Sequence, residues 1–410
     1  MKTVQFAEKR VDNYLKFMDR EKRDELFELI DKVKGMRVLH VNATAFGGGV
    51  AEILHTLVPL MKDAGIDVEW KVMEAEKEFY EFTKRMHNAL QGKEDVIEKH
   101  VKDLYIETTK KNAEELDARN YDVVIIHDPQ PFALPEFYDF GKAKVIWRCH
   151  IDTSTPNKQY LDFLKRFTSG YSCAVFTLES YAGEFGFPEI REIAPSIDPL
   201  SDKNRELTDE ELRKACTKLK INAEKPLITQ VSRFDPWKDP LGVVDVYREL
   251  KKSFNELQLL MIGSMASDDP EGWQIYEDIL RYAGRDYDVG VYTNFHDVGN
   301  VEVNAAQKVS DVVLQKSLRE GFALTVSEAL WKGTPVVGGN VGGIPLQIKD
   351  NHNGYLVSST EEAVEATRKI LSDENLKRKL GENGKEIVRK EFLITRHLTD
   401  YLKLFRDFTN

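Results

Sequence analysis

At 410 residues, with 41% apolar and 31% charged side chains, the chain is long enough to fill two hydrophobic cores and too apolar to be a disordered polymer. Its formal charge of −11, from 58 basic and 69 acidic side chains, argues against a nucleic-acid partner, which selects for a basic surface. No stretch approaches the roughly 18 consecutive apolar residues of a spanning helix, so membrane insertion is not expected. The first thirty residues interleave charges with single apolar residues and contain no block of signal-peptide type. Cys149, Cys173 and Cys216 lack the close pairing of a metal or disulfide framework. A cytoplasmic protein with reduced thiols and no metal cluster is expected. Heavy Lys and Glu use matches a heat-adapted surface, and equally a well-solvated one.

In chain order, Val11, Tyr14, Leu15 and Met18, then Leu26, Leu29, Ile30 and Val33, recur at helical spacing and predict one or two leading helices. From Met36 a continuous apolar run, MRVLHVN, leads through a glycine loop into Val50, Ile53, Leu54, Leu57 and Met61 at helical spacing, and then into IDVEWKVM. This is a βαβ unit with the buried strands of a parallel sheet. Further strands are predicted at 121–127, 144–148 and 173–177, completing a first domain over 1–200. The polar stretch after Pro195 reads as a linker and helix over 201–222, with a hinge near Ser201; Thr208 and Glu211 have capping-box spacing. A second βα series runs over 223–390 through PLITQVS, LQLLMIG, VGVYTN, DVVLQKS and TPVVGG, and a helical tail follows from about Ser372. The fold class is therefore α/β, with two Rossmann-like domains in tandem making a cleft.

Ligands of open α/β sheets gather at strand carboxyl ends, so the segments after each strand carry the candidate chemistry. Gly47, Gly48 and Gly49 join the first strand to a helix, where backbone N–H groups suit phosphate or a close polar ligand, or serve only a tight turn. The loop is not G-x-G-x-x-G, and Glu69 is the sole acid near the position a dinucleotide site needs. In the second domain, Arg233 and Lys238 follow a strand end directly and could neutralise a diphosphate; the alternative is a solvated loop in which they pair with Asp235 and Asp239. Glu320 stands at the next strand end and Glu328 about two turns into a helix, bracketing Gly321, Phe322, Ala323, Leu324 and Thr325, whose amides suit phosphate oxygens. Glu320 could reach a transferred sugar and Glu328 a ribose, although Glu328 could also be a buried acid satisfied by backbone. In the first domain, Asp128 and the pair His150 and Asp152 follow two other strand ends, where His150 suits a sugar hydroxyl and the acids an acceptor.

S-R-F-D-P-W-K-D at 232–239 with E-G-F-A-L-T-V-S-E at 320–328 resembles the donor site of retaining glycosyltransferases of family four, which have the GT-B fold. The resemblance extends over both domains, from Gly47 through Gly342-Gly-Ile-Pro345 and the C-terminal helices. H-D-P-Q-P at 127–131, W-R-C-H-I-D at 147–152 and A-P-S-I-D-P-L-S-D-K-N at 194–204 resemble the branch that acts on trehalose. The resemblance implies glucose transfer from an ADP-, UDP- or GDP-glucose to glucose, reversibly and with retention, without a prosthetic group and with Mg²⁺ as an optional stimulant. It implies that Arg233 and Lys238 hold the diphosphate, Glu320 the glucosyl hydroxyls, Glu328 the ribose and His150 the donor sugar. Gly263 joins the donor set, the glycine loop meets donor phosphate or acceptor sugar, and segment 391–410 returns to the first domain. A trehalose phosphorylase, a GT-B nucleotide-sugar epimerase and a non-catalytic nucleotide-binding module are the competing readings. The partners expected are small molecules, with the oligomeric state open between monomer and homodimer.

Overall fold

Apolar runs five or six residues long bury both faces of a strand, which a sheet covered by helices on each side requires. The computed structural model describes residues 1–117, 120–265 and 270–408, the Pro270 side chain excepted. It contains two sheets. The first comprises β1 (Lys2–Thr3), β2 (Arg37–Asn42), β3 (Asp67–Val72), β4 (Val123–His127), β5 (Lys144–Arg148), β6 (Cys173–Phe176) and β7 (Ile190–Glu192) in the spatial order β1-β3-β2-β4-β5-β6-β7. All its pairings are parallel except β1 with β3. The second comprises β8 (Leu227–Val231), β9 (Gln258–Gly263), β10 (Val289–Thr293), β11 (Val312–Gln315), β12 (Val336–Gly339) and β13 (Gly354–Val357), all parallel, in the order β10-β9-β8-β11-β12-β13. That is the doubly wound Rossmann order. The chain order of the strands reverses between β2 and β4 in the first sheet and between β8 and β11 in the second. Those two points are where open α/β sheets place ligands.

The chain divides into two compact units, Met1–Ser196 with Ile394–Asn410, and Ile197–Leu393. The first is filled by aromatic packing around Trp147, which is fully buried and meets Phe132 at 4.6 Å and Phe185 at 5.0 Å between ring centroids. Its indole N–H donates to the Asp128 carbonyl at 3.0 Å, so the core fixes the loop that leaves β4. The helix Ile394–Asp407 carries Ile394, Leu398, Tyr401, Leu402 and Phe405 on a buried face. The second core gathers on helix Pro240–Lys251 through Val243, Val246, Tyr247 and Leu250.

Three strands give no clear sequence signal. β1 is two residues long, β7 is Ile-Arg-Glu and largely exposed, and β13 is four residues with a glycine start, so none shows a usable run of pattern. The linker expected over 201–222 is corrected. The crossings fall at Ser196/Ile197 and Leu393/Ile394, and the polar segment is fastened within the second unit. Asn304 Nδ2 donates to the carbonyls of Asp202 and Arg205 at 2.9 and 2.8 Å, and Lys332 Nζ donates to Asn204 Oδ1 at 3.0 Å. The segment that reads as a hinge is thus held within the second unit through its backbone carbonyls and the buried Asn204 side chain. Thr208 and Glu211 do form a capping box at the start of helix Asp209–Lys218.

Candidate active site

The β8/β11 switch point of the second unit is built by two loops that bind each other. After β8, Asp235 accepts from Trp237 N at 2.9 Å and closes a 3₁₀ turn over Pro236–Lys238. Asp239, left-handed at φ 47°, then caps helix Pro240–Lys251, and its carboxylate is paired with Lys316. After β11, Leu318 N donates to the Trp237 carbonyl at 2.8 Å, and the Arg319 guanidinium lies over the Trp237 ring at 5.6 Å. These contacts bring Lys238 Nζ to 2.5 Å from Glu320 Oε2, with both side chains mostly buried. Ser317 Oγ donates to the same oxygen at 3.3 Å and is itself held by Gln315 Nε2 at 3.0 Å. Arg233 is more than half exposed and meets Asp235 at 3.2 Å. The solvated-loop alternative therefore describes Arg233 but not Lys238, whose partner is an acid from another strand end.

Between the two acids, Gly321 is half-buried, Phe322 is buried and Ala323 has φ 66°, a left-handed turn that re-aims the chain into helix Leu324–Trp331. Gln347 Nε2 holds that turn by donating to the Phe322 carbonyl at 2.5 Å, and Thr325 Oγ1 donates to Gln315 Oε1 at 3.1 Å. Glu328 stands one turn into the helix, not two, because the helix starts only after Ala323. It is 1% exposed. Gln307 Nε2 donates to its Oε2 at 3.2 Å, while Oε1 receives no hydrogen bond among the described residues and faces Lys203 Nζ at 3.5 Å. Backbone does not satisfy this acid. Gly263, at the end of β9, is required by packing: a Cβ there would meet the buried Phe234 ring at 2.7 Å.

The β2/β4 switch point of the first unit gathers a different set. Gly47 and Gly48 both have φ 77° with open space where a Cβ would stand, so conformation rather than room selects glycine; Gly49 follows inside helix Gly48–Asp63. Asp128 is left-handed at φ 62° and accepts from His150 N at 2.9 Å, which ties the loop after β4 to that after β5. Burial pushes its carboxyl up to about 6. Asp152 accepts from Ser154 N at 2.9 Å in a local turn. His150 is half-buried, and its Nε2 lies 3.0 Å from His127 Nδ1. Arg148, fully buried, donates from Nη2 to the Ile193 carbonyl at 2.7 Å.

Comparison with known proteins decides the family. The trehalose synthase N-terminal domain model matches residues 40–183, and the model of glycosyl transferases group 1 matches residues 213–387. A trehalose synthase of Pyrococcus furiosus is 47% identical over 98% of this chain and 97% of its own length. The chain belongs to the trehalose synthase family of GT-B glycosyltransferases. A trehalose synthase of Rubrobacter xylanophilus is likewise 47% identical, over 99% of this chain and 98% of its own. An Escherichia coli trehalose-6-phosphate enzyme solved with UDP-2-fluoro glucose superposes with a TM-score of 0.73 over 90% of this chain and 99% of that one, at 15% identity, and so shares the fold. Thermophilic archaea and bacteria among the sources agree with the Lys- and Glu-rich composition. No described helix is long and apolar enough to cross a membrane.

Within this trehalose-related hexosyltransferase, several residues to which the sequence assigned no role support the acids: Gln315, Ser317, Trp237, Gln307, Lys203 and Gln347. Gln315 and Ser317 act within their own segment, whereas Trp237, Gln307, Lys203 and Gln347 reach it from distant parts of the chain, where no local spacing announces the contact. The Gly342-Gly343 pair did carry a signal. A Cβ on Gly343 would stand 2.6 Å from the Gly321 carbonyl oxygen and 2.9 Å from Phe322 Cα, both backbone atoms that cannot rotate away. Gly343→Ala is expected to displace the 320–323 loop and lower turnover by roughly tenfold or more, since an ångström of misplacement costs up to about 10²-fold. Steady-state rates beside circular dichroism check this; an unimpaired variant would show that the loop has slack.

Proposed function

We propose that the chain transfers glucose from a nucleoside-diphosphate glucose to glucose with retention at the anomeric carbon, forming trehalose reversibly. The observation that carries this reading is the Lys238–Glu320 pair, a cation and an acid from the two loops of the β8/β11 switch point held 2.5 Å apart. Lys238, with Arg233, is assigned to the diphosphate, Glu320 to the glucosyl hydroxyls and Glu328 to the ribose. From the first unit, His150 is assigned to a sugar hydroxyl, and the glycine loop to phosphate or acceptor. In the transfer, the bond from glucosyl C1 to the phosphate oxygen breaks, and the acceptor oxygen bonds C1 on the same face. The acceptor proton passes to the departing phosphate. The cations then act on charge that develops on the leaving group, which lowers the barrier rather than merely improving binding. Mg²⁺, as an optional stimulant, is assigned to the diphosphate; among the described residues no group of three His, Cys, Asp or Glu side chains could hold it.

Purified protein incubated with ADP-, UDP- and GDP-glucose plus glucose should yield an α,α-linked disaccharide, identified by proton NMR of both anomeric positions. Product from glucose 1-phosphate alone, with none from any nucleotide donor, would replace this reading with phosphorolysis. The ribose assignment has its own check. Glu328→Gln keeps the shape but removes the charge, and should weaken a nucleoside diphosphate by about 10-fold or more, the worth of a hydrogen bond to a charged group. Calorimetric titration reads this directly; unchanged affinity would move the ribose elsewhere.

A further inference from the structure

Behind His150, the first unit carries a series of three imidazoles that glucosyl transfer does not by itself require. His40 lies on β2, His127 ends β4 and His150 follows β5. His40 Nδ1 lies 3.0 Å from His127 Nε2, and His127 Nδ1 lies 3.0 Å from His150 Nε2. Adjacent rings are within 21° and 16° of parallel, with centroids 5.3 and 5.4 Å apart, the separation of rings that meet nitrogen to nitrogen. His40 and His127 are buried, at 0% and 1% exposure.

The series stays uncharged. Burial holds His40 down to about 3 and drives His127 and His150 well below the usual histidine range. The Arg148 cation adds to the effect on His127 and His150, and His397 adds to it on His150. Asp128 lies on the loop after β4, and Arg396, His397 and Tyr401 lie on the helix packed against this end of the sheet.

A neutral imidazole has one N–H and one bare nitrogen. The middle ring must therefore accept from one neighbour and donate to the other, which leaves two arrangements. In one, all three protons sit on Nδ1 and the inner end of the series is a bare His40 Nε2. In the other, all three sit on Nε2 and the inner end is an N–H. His40 Nε2 is sealed from solvent and meets no hydrogen-bond partner among the described residues. An orphaned buried N–H is rarer in folded proteins than an under-used acceptor, so the sealed end selects the first arrangement. His150 Nδ1, at the other end, then carries a proton.

We propose that His40 and His127 are positioning residues that fix the Nδ1–H tautomer of His150, so that His150 presents a hydrogen-bond donor to an oxygen of the bound sugar. The sugar contact rests on the transfer reading above; the tautomer does not. The experiment uses the full chain labelled with ¹⁵N at its nine histidines, with the His150 signals assigned by their loss in His150→Ala. The parent should show the His150 proton on Nδ1. His127→Phe should give a mixture of tautomers and lower kcat about tenfold with little change in KM for nucleotide-glucose. His127→Asn, whose amide stands where Nδ1 stood and can donate to His150 Nε2, should restore the Nδ1–H form and most of the rate. A parent proton on Nε2 overturns the proposal whatever the variants do. So does His127→Asn with no recovery of tautomer and a native circular dichroism spectrum. Full activity in His150→Ala would instead sink the sugar assignment and leave the tautomer result standing.

Discussion

Lys238→Ala is expected to lower kcat by about 10²–10³-fold, the loss seen when one preorganised donor to developing charge is removed. The ammonium is mostly buried and 2.5 Å from Glu320, so its removal has two effects. It withdraws the cation assigned to the leaving phosphate, and it leaves a mostly buried carboxylate without its counter-charge. The second effect would displace Glu320 even if the first were absent. A double-mutant cycle with Glu320→Gln separates them. If the two side chains act as one unit, the double variant should be about as slow as the slower single variant, because groups that act together are strongly non-additive. Arg233→Ala should cost less, since Arg233 is more exposed and its partner is a residue of its own loop. The measurements are kcat with nucleotide-glucose and calorimetric affinity for the nucleoside diphosphate. Parent values of both in Lys238→Ala would remove the phosphate assignment.

The fold is legible in the sequence wherever burial is two-sided. β2, β4, β5, β8, β9 and β11 are continuous apolar runs because helices cover both faces of their sheets, and each run lies between segments long enough for a crossover. The loops after β8 and β11 were legible because Arg233, Lys238 and Glu320 follow strand ends directly. Which cation meets which acid was not. Sequence neighbours offer Lys238 to Asp239, yet Asp239 is taken by Lys316 and by the cap it makes on Gly242 N. Lys238 is thus left facing Glu320 across 82 positions of chain.

The first unit was harder to read, because its polar residues look like ordinary strand-end punctuation. Asp128 and Asp152 suggest acceptor binding by position alone. The structure shows Asp128 accepting from His150 N across 22 positions of chain, which holds the His150 backbone, and Asp152 accepting from Ser154 N in a local turn. His40 sits in the middle of an apolar strand, where a lone histidine reads as a satisfied core residue. Its relation to His127 comes from the pairing of β2 with β4, in which His40 stands beside Ile125. Strand register of that kind is a tertiary fact, and no spacing in the sequence encodes it.

The same buried imidazoles make the first unit acid-labile. His40, His127 and His397 are fully buried, and burial depresses all three below the ordinary value of about 6.5. In the unfolded chain each takes up a proton as pH falls through that value, while the folded ring stays neutral, His40 down to about 3. The unfolded state then binds more protons, so stability is full above about pH 6.5 and is lost as pH falls below it. Asp128 works in the opposite sense: its folded carboxyl is pushed up to about 6, so the folded state takes that proton first and regains part of the loss. His150 is held neutral by the same burial, so four rings stand against one carboxyl and the net slope keeps the sign set by the histidines. Trp70 and Trp147 report on this unit once Trp237, Trp273 and Trp331 of the other are replaced by Phe. Guanidinium unfolding followed by their fluorescence at several pH values gives the slope. His40→Asn, which keeps a polar group where Nδ1 meets His127, should reduce the slope by one proton, about 1.4 kcal/mol per pH unit. Equal slopes in parent and variant would mean that His40 is not the neutral, buried base described here.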